Sequence, residues 1–199
     1  MSDYLPLPTF SGAKLPLRPM HVWAIRVRLQ VERRIRDIAL FDLAIDSKLR
    51  GCDVVALRLS DIMSAGTPRR RATVLQQKTG RPVQFEITEQ ARQSVANWMT
   101  RRPSYGGEWL FPSRLWPGDH LSTRQYSRLV KWWIELIGLE PAGYGTHSLR
   151  RTKVCLLYKK TGNLRACQLL LGHTKLESTV RYLGVELDDA LQMSEALEL

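Results

Sequence analysis

The chain reads as mainly α with a small antiparallel β-sheet. Three observations predict this. Helical apolar spacing recurs from Pro19 onward and is strongest at Tyr126, Leu129, Val130, Trp133, Ile134 and Ile137. One pair of alternating segments flanks the connection Lys78-Thr79-Gly80. No internal repeat or low-complexity tract interrupts the pattern, and 199 residues suit one ordinary domain with a short arm.

Residues 1–19 hold Pro6, Pro8, Pro16 and Pro19 among small and polar residues, which reads as an extended arm. Trp23, Val27 and Val31, followed by Ile35, Ile38, Leu40 and Leu43, predict one or two helices starting near Pro19. A break near Asp46-Ser47 precedes a short helix carrying Val54, Val55 and Leu57. Ala72–Gln77 and Pro82–Ile87 form the expected hairpin. Thr88 caps a helix with Ala91, Val95, Trp98 and Met99 on one face. After a Pro/Gly-rich passage, Ser122 caps the strongest amphipathic helix, whose stripe reads as core. Gly143 and Gly145 turn the chain into a helix near His147, and further helices are expected at 164–171 and 187–197.

Charge narrows the partners. The 30 Lys and Arg outnumber 19 Asp and Glu for a net +11. No Lys or Arg follows Tyr182, whereas Glu186, Asp188, Asp189, Glu195 and Glu198 do; without them the body carries 30 basic against 14 acidic residues, a net +16. A polyanion such as nucleic acid fits this distribution. No stretch approaches the roughly 18–20 uncharged apolar residues of a membrane span, and the N-terminal segment lacks a signal-peptide pattern, so a cytoplasmic, nucleoid-associated protein without a membrane partner is expected. Cys52, Cys155 and Cys167 are widely spaced and without a C-x-x-C pair, which reads as reduced thiols rather than a disulfide framework or zinc site.

Several residues carry chemistry. His147 and Arg150 stand at i and i+3, one face of a helix, where an imidazole and a guanidinium can meet one phosphate. Arg151, at a different azimuth, is expected to contact DNA backbone or solvent. Gly172 ends a short apolar helix and leaves His173 on a turn. Tyr182 follows nine residues later.

These segments resemble the tyrosine site-specific recombinase and integrase family. Thr146-His147-Ser148-Leu149-Arg150-Arg151 is similar to the family's His/Arg box, Leu170-Leu171-Gly172-His173 to its second His motif, and Thr179-Val180-Arg181-Tyr182 to its nucleophile motif. Upstream, Leu49-Arg50-Gly51-Cys52-Asp53-Val54-Val55-Ala56-Leu57 resembles the first arginine box, with Asp53 in place of the common Glu, and Gln77-Lys78-Thr79-Gly80 resembles the turn bearing the catalytic Lys. Trp109-Leu110-Phe111-Pro112-Ser113 matches a non-catalytic landmark. The resemblance spans roughly residues 20–195.

The resemblance implies the recombinase catalytic-domain fold and a transesterification with neither metal nor cofactor. Tyr182 would attack the scissile phosphate and form a 3′-phosphotyrosine. Arg50 and Arg150 would hold the nonbridging oxygens as bidentate forks. His147 would assist proton removal from Tyr182, Lys78 would protonate the leaving 5′-oxygen, and His173 would donate a hydrogen bond to the phosphate. Expected partners are double-stranded DNA with paired recombination sites, further copies forming a tetramer on DNA, and a helper DNA-bending protein.

Two departures from the family stand out. Lys48 occupies the position, two before Arg50, where a Gly is usual; either the turn is altered or Lys48 adds a phosphate contact. A separate core-binding domain is not seen ahead of residue 20, an economy similar to that of the short recombinases that invert fimbrial promoter segments. Residues 20–183 are then the catalytic domain. The acidic segment 184–199, with Leu187, Ala190 and Leu191 on one face, forms a terminal helix that packs on its own domain or is exchanged between subunits. The alternatives are a catalytically silent DNA-binding regulator of the same fold, a type IB topoisomerase-like relaxing enzyme, and an RNA-processing enzyme, which would not require Tyr182.

Overall fold

In this computed structural model, the structure describes residues 14–183 and, singly, Glu195. The expected arm therefore lies mostly, and the expected helix at 187–197 almost wholly, outside the described residues. Residues 14–18 are extended against the domain: Leu15 N donates to Gly143 O at 3.0 Å, Leu17 N donates to Thr152 Oγ1 at 3.0 Å, and Leu17 is buried.

Pro19 is the first residue of α1 (Pro19–Val31), where its missing N–H costs no helical bond. α2 (Ile35–Ser47) is buried along most of its length and supplies the centre of the core. The apolar pattern located α1 but not its inward face. Ile25 and Leu29 are buried, whereas Trp23 is 67 % and Val31 72 % exposed.

After Arg50 come α3 (Gly51–Val55) and α4 (Leu59–Ile62). A two-residue ribbon follows, β1 (Met63–Ser64) antiparallel to β2 (Thr67–Pro68). These last three elements are too short to show a period in sequence. The expected hairpin is β3 (Arg71–Leu75) antiparallel to β4 (Pro82–Glu86), with Ala72 opposite Phe85 and Val74 opposite Val83. Alternation puts Ala72, Val74, Val83 and Phe85 inside.

Thr88 Oγ1 accepts from Ala91 N, capping α5 (Glu89–Met99), which packs closely on α2. Ser122 Oγ accepts from Gln125 N at the start of α6 (Thr123–Glu135). The α6 stripe is core as expected: Tyr126, Val130, Trp133 and Ile134 are buried, and Phe41 meets Trp133 edge-on at 5.6 Å between ring centroids. Between α5 and α6 the landmark segment is pinned by Leu110 N donating to Leu57 O and Leu121 N to Phe111 O, each at 2.8 Å.

α7 (Thr146–Thr161) and α8 (Leu164–Leu171) match expectation. A further helix, α9 (Leu176–Leu183), carries Tyr182. Val154, Cys167 and Leu171 form a small apolar cluster separate from the main core, with Leu157, Tyr158, Tyr182 and Leu183 packed on it.

Candidate active site

The site is assembled where four chain segments meet: the end of α2, the β3–β4 turn, the start of α7, and the α8–α9 turn. Arg50 is the N-cap of α3, and its Nη1 donates to Gln76 Oε1 at 2.6 Å. Lys48 resolves the departure noted in the sequence. It ends α2 in the left-handed region, with φ 55°, so the turn keeps a geometry that Gly adopts more easily. Its side chain is 1 % exposed and runs inward, and its Nζ lies 2.8 Å from Glu86 Oε1 and 2.5 Å from Asp46 O. The turn is not altered, and the ammonium is committed inside rather than offered to a phosphate.

The β3–β4 turn is tied to the Arg50 segment. Asp53 is buried, and its Oδ1 accepts from Gln77 N at 2.8 Å. Gly80, at φ 62°, completes the turn. Lys78 stands exposed at the tip.

On α7, His147 is exposed and Arg150 is 2 % exposed. Arg150 Nη2 donates to Leu171 O at 2.9 Å, tying α7 to the end of α8. Arg151 does not face DNA or solvent as expected. It is buried, its Nη1 donates to Lys14 O at 2.9 Å, and its guanidinium carbon lies 5.3 Å from the Tyr182 ring centroid. Neighbouring backbone and ring take up this guanidinium, and helical azimuth alone does not reveal them.

Gly172 turns left-handed, with φ 66°, at the end of α8 and delivers His173, whose Nδ1 lies 3.1 Å from Thr179 Oγ1. A hydroxyl at this position can donate to Nδ1, which leaves the ring proton on Nε2, or accept from it. The His173 and Tyr182 rings meet edge-on at 5.4 Å, and Arg150 lies 5.8 Å from the Tyr182 ring centroid. Tyr182 thus sits with its own chain's Arg150 and His173.

Burial and a ring of cations set the protonation states. Burial, then Arg150 and Arg50, lowers His173 to about 4. Desolvation, followed by Arg150, Arg50, Arg151 and Lys78, pushes His147 below its ordinary value. Both imidazoles are therefore held neutral near pH 7. Burial pushes the Tyr182 phenol well above the usual range, with Arg150 and Arg151 pulling the other way.

Arg50, Arg150, His173 and Tyr182 thus converge, and His147 shares the same cationic field. Lys78 acts on His147 through its charge while remaining at the exposed tip. Gln76 Nε2, Arg150 Nη1, Arg151 Nε and Tyr182 Oη are all buried without a hydrogen-bond partner among the described residues. Such orphaned donors are expensive unless something accepts from them. Sequence reasoning missed Gln76 and put Arg151 at the surface; Gln76 could have been found as a polar residue continuing the inward alternation of Ala72 and Val74.

The fold and this constellation define a class, and comparison with known proteins agrees. Residues 25–187 match the phage integrase family. The chain belongs to the phage integrase family. It is 28% identical to the probable integrase/recombinase YoeC of Bacillus subtilis over 77% of this chain and 80% of YoeC. It is 31% identical to tyrosine recombinase XerC of Rhodospirillum centenum over 81% of this chain and 46% of that protein. It is 31% identical to tyrosine recombinase XerD of Rickettsia conorii over 74% of this chain and 51% of that protein, so the chain spans about half the length of the XerC and XerD relatives and most of YoeC. Its fold matches the crystal structure of XerA recombinase with TM-score 0.76 at 16% identity, over 93% of this chain and 65% of that one. It also matches XerH site-specific recombinase bound to its palindromic difH substrate, with TM-score 0.73 at 20% identity over 93% of this chain and 53% of that one.

Proposed function

We propose that the chain is a site-specific DNA recombinase that cuts and rejoins strands at paired sites through a 3′-phosphotyrosine, integrating, excising or inverting a DNA segment. The observation that carries this reading is that Arg150 Nη1 and Tyr182 Oη, both buried without a hydrogen-bond partner among the described residues, lie together beside His173 in a family whose named members are recombinases. A phosphodiester approaching its pentacovalent transition state supplies the acceptors such donors lack.

In this reading Tyr182 Oη bonds to phosphorus as the P–O5′ bond breaks. The phenol proton passes to neutral His147, and Lys78 gives a proton to O5′. Arg50 and Arg150 hold the nonbridging oxygens, and His173 Nε2–H donates to one of them. The phosphodiester bond energy is conserved in the phosphotyrosine, so religation needs no energy source. The high pKa imposed on Tyr182 by burial makes the accepting base and the surrounding cations essential to the attack.

The proposed organisation is an arm at 1–19, a catalytic domain at 20–183 and an acidic helix at 184–199 exchanged between subunits of a DNA-bound tetramer, with a helper DNA-bending protein, acting at the nucleoid in the cytoplasm. Basic residues of the domain and acidic residues of the segment after Tyr182 support this arrangement through charge complementarity.

The test uses duplexes tiling the DNA that flanks the coding sequence, each nicked beside a candidate scissile phosphate, incubated with protein and a chelator. A covalent adduct that disappears in Tyr182→Phe supports the reading. No adduct on any duplex overturns it, and plasmid relaxation without recombinant product replaces it with a relaxing enzyme.

A further inference from the structure

Gln76 is 1 % exposed at the end of β3, where an amide is costly to bury unless its bonds are made. Its backbone already closes the turn: Gln76 N donates to Arg81 O at 2.9 Å, and Gln76 O accepts from Gly80 N at 2.8 Å. The side chain is not needed for that. Its Oε1 instead accepts from two functional segments at once, Arg50 Nη1 at 2.6 Å and Thr79 Oγ1 at 3.0 Å. Thr79 is the residue after Lys78.

The amide as a whole lies beside the third segment. A Cβ built on Gly172 would lie 3.5 Å from Gln76 Nε2 and 3.6 Å from Oε1, and Nε2 is buried without a hydrogen-bond partner among the described residues. One side chain therefore bonds to the Arg50 guanidinium and to the turn that carries Lys78, and lies beside the glycine that precedes His173.

We infer that Gln76 is a positioning residue that couples the Arg50 guanidinium to the Lys78-bearing turn, so that the phosphate-holding fork and the proton donor keep one mutual register. An Arg side chain has many rotamers, and anchoring one nitrogen aims the rest of the fork. The backbone tie from Gln77 N to Asp53 Oδ1 holds the two strands of chain together; Gln76 holds their working ends together. This inference rests on the recombinase reading, since it assigns a task within that reaction.

The test exploits leaving-group chemistry. In the ordinary step Tyr182 Oη bonds to phosphorus, P–O5′ breaks, and O5′ takes a proton from Lys78. With sulfur in place of O5′, P–S5′ breaks and a thiolate departs unprotonated, because a thiol pKa is about 8.5 whereas that of water is about 16. Sulfur therefore removes the need for Lys78 and leaves the need for Arg50.

The probe is the nicked duplex that gives a Tyr182-dependent adduct, made with oxygen or sulfur at the 5′-bridging position. Lys78→Ala and Arg50→Ala serve as references, the first restored by sulfur and the second not. Gln76→Met keeps the shape and removes the hydrogen bonds. It is expected to slow adduct formation by about 10–100-fold on oxygen, with sulfur recovering about tenfold and leaving an Arg50-type residue of the defect. Thr79→Val, at an exposed position, cuts only the link to the turn and should show a smaller defect that sulfur recovers fully. Equal rates for Gln76→Met and the unmodified chain would overturn the inference, as would a Gln76→Met defect of the same size on both substrates. No adduct from the unmodified chain would instead remove the recombinase reading beneath it.

Discussion

Lys48 Nζ lies 2.8 Å from Glu86 Oε1, and the two side chains differ sharply in access to water, 1 % exposed against 39 %. Lys153 Nζ shares the carboxylate at 2.7 Å and also meets Asp46 Oδ1 at 2.6 Å. Asp46 Oδ2 in turn accepts from Thr88 N and Oγ1. This network joins the end of α2, the base of the hairpin, α5 and α7, and so carries the frame on which Arg50, Lys78 and Arg150 are mounted.

The unequal burial predicts unequal mutants. Glu86→Ala strands a buried ammonium and is expected to destabilise by about 3 kcal/mol. Lys48→Met leaves Glu86 with Lys153 and water, and should cost only about 1–2 kcal/mol. Lys48→Gly should cost more still, because the cavity left by the buried side chain, about 2–5 kcal/mol, outweighs the roughly 0.5–1 kcal/mol gained by relieving the left-handed backbone. Urea midpoints of the three variants check the order.

Tyr182→Phe should separate chemistry from stability. The variant loses the nucleophile and gives no adduct. It also removes a buried hydroxyl without a hydrogen-bond partner among the described residues, so the folded domain should gain about 1 kcal/mol, or roughly 2–4 °C in Tm. Thermal unfolding beside the adduct assay reads both; a lower Tm would contradict the packing described.

His173 sets an acid limit. Its folded pKa of about 4 lies below its ordinary 6.5, so the unfolded chain binds the proton first as pH falls. The stability tied to the neutral ring is complete above about pH 6.5 and is lost progressively towards pH 4. The difference in urea midpoint between pH 7.5 and pH 4.5 should therefore shrink in His173→Gln, with the carboxylates titrating alike in both proteins.

Gly172→Ala should damage the site from a distance. The added Cβ would come within 2.6 Å of Val83 Cγ2, and the backbone there holds φ +66°. Both effects push α8 away from the hairpin, with an expected cost of about 2–3 kcal/mol and a slower adduct. Denaturant unfolding and adduct kinetics on the same preparation measure the two.

Much of this was legible in the amino acids. Long periodic helices, the Thr88 and Ser122 caps and the hairpin around Lys78 follow from local rules, because each is written within a dozen residues. The convergence of Arg50, Arg150, His173 and Tyr182 was anticipated through motif order. What escaped depends on partners distant in the chain. Lys48 turns inward because Glu86 waits there, and Arg151 because Lys14 O and the Tyr182 ring do. α1 buries Ile25 and Leu29 rather than the Trp23 and Val31 through which its pattern was read, since the neighbouring α2 decides which side is covered. α9, at eight residues, is too short for its period to outweigh its reading as a motif.

Tyr182 is mounted on the lesser of two apolar nuclei. Tyr182 and Leu183 rest on Val154, Cys167 and Leu171, while the thirty-odd side chains around α2 and α6 cohere without them. A unit so lightly anchored opens at a lower free energy than the body it sits on. The tyrosine can then be withdrawn or presented like a cartridge while the scaffold stays intact. Opening of that unit would unseat Tyr182 together with the turn that carries His173 and the carbonyl that holds Arg150, ahead of any loosening of the larger nucleus.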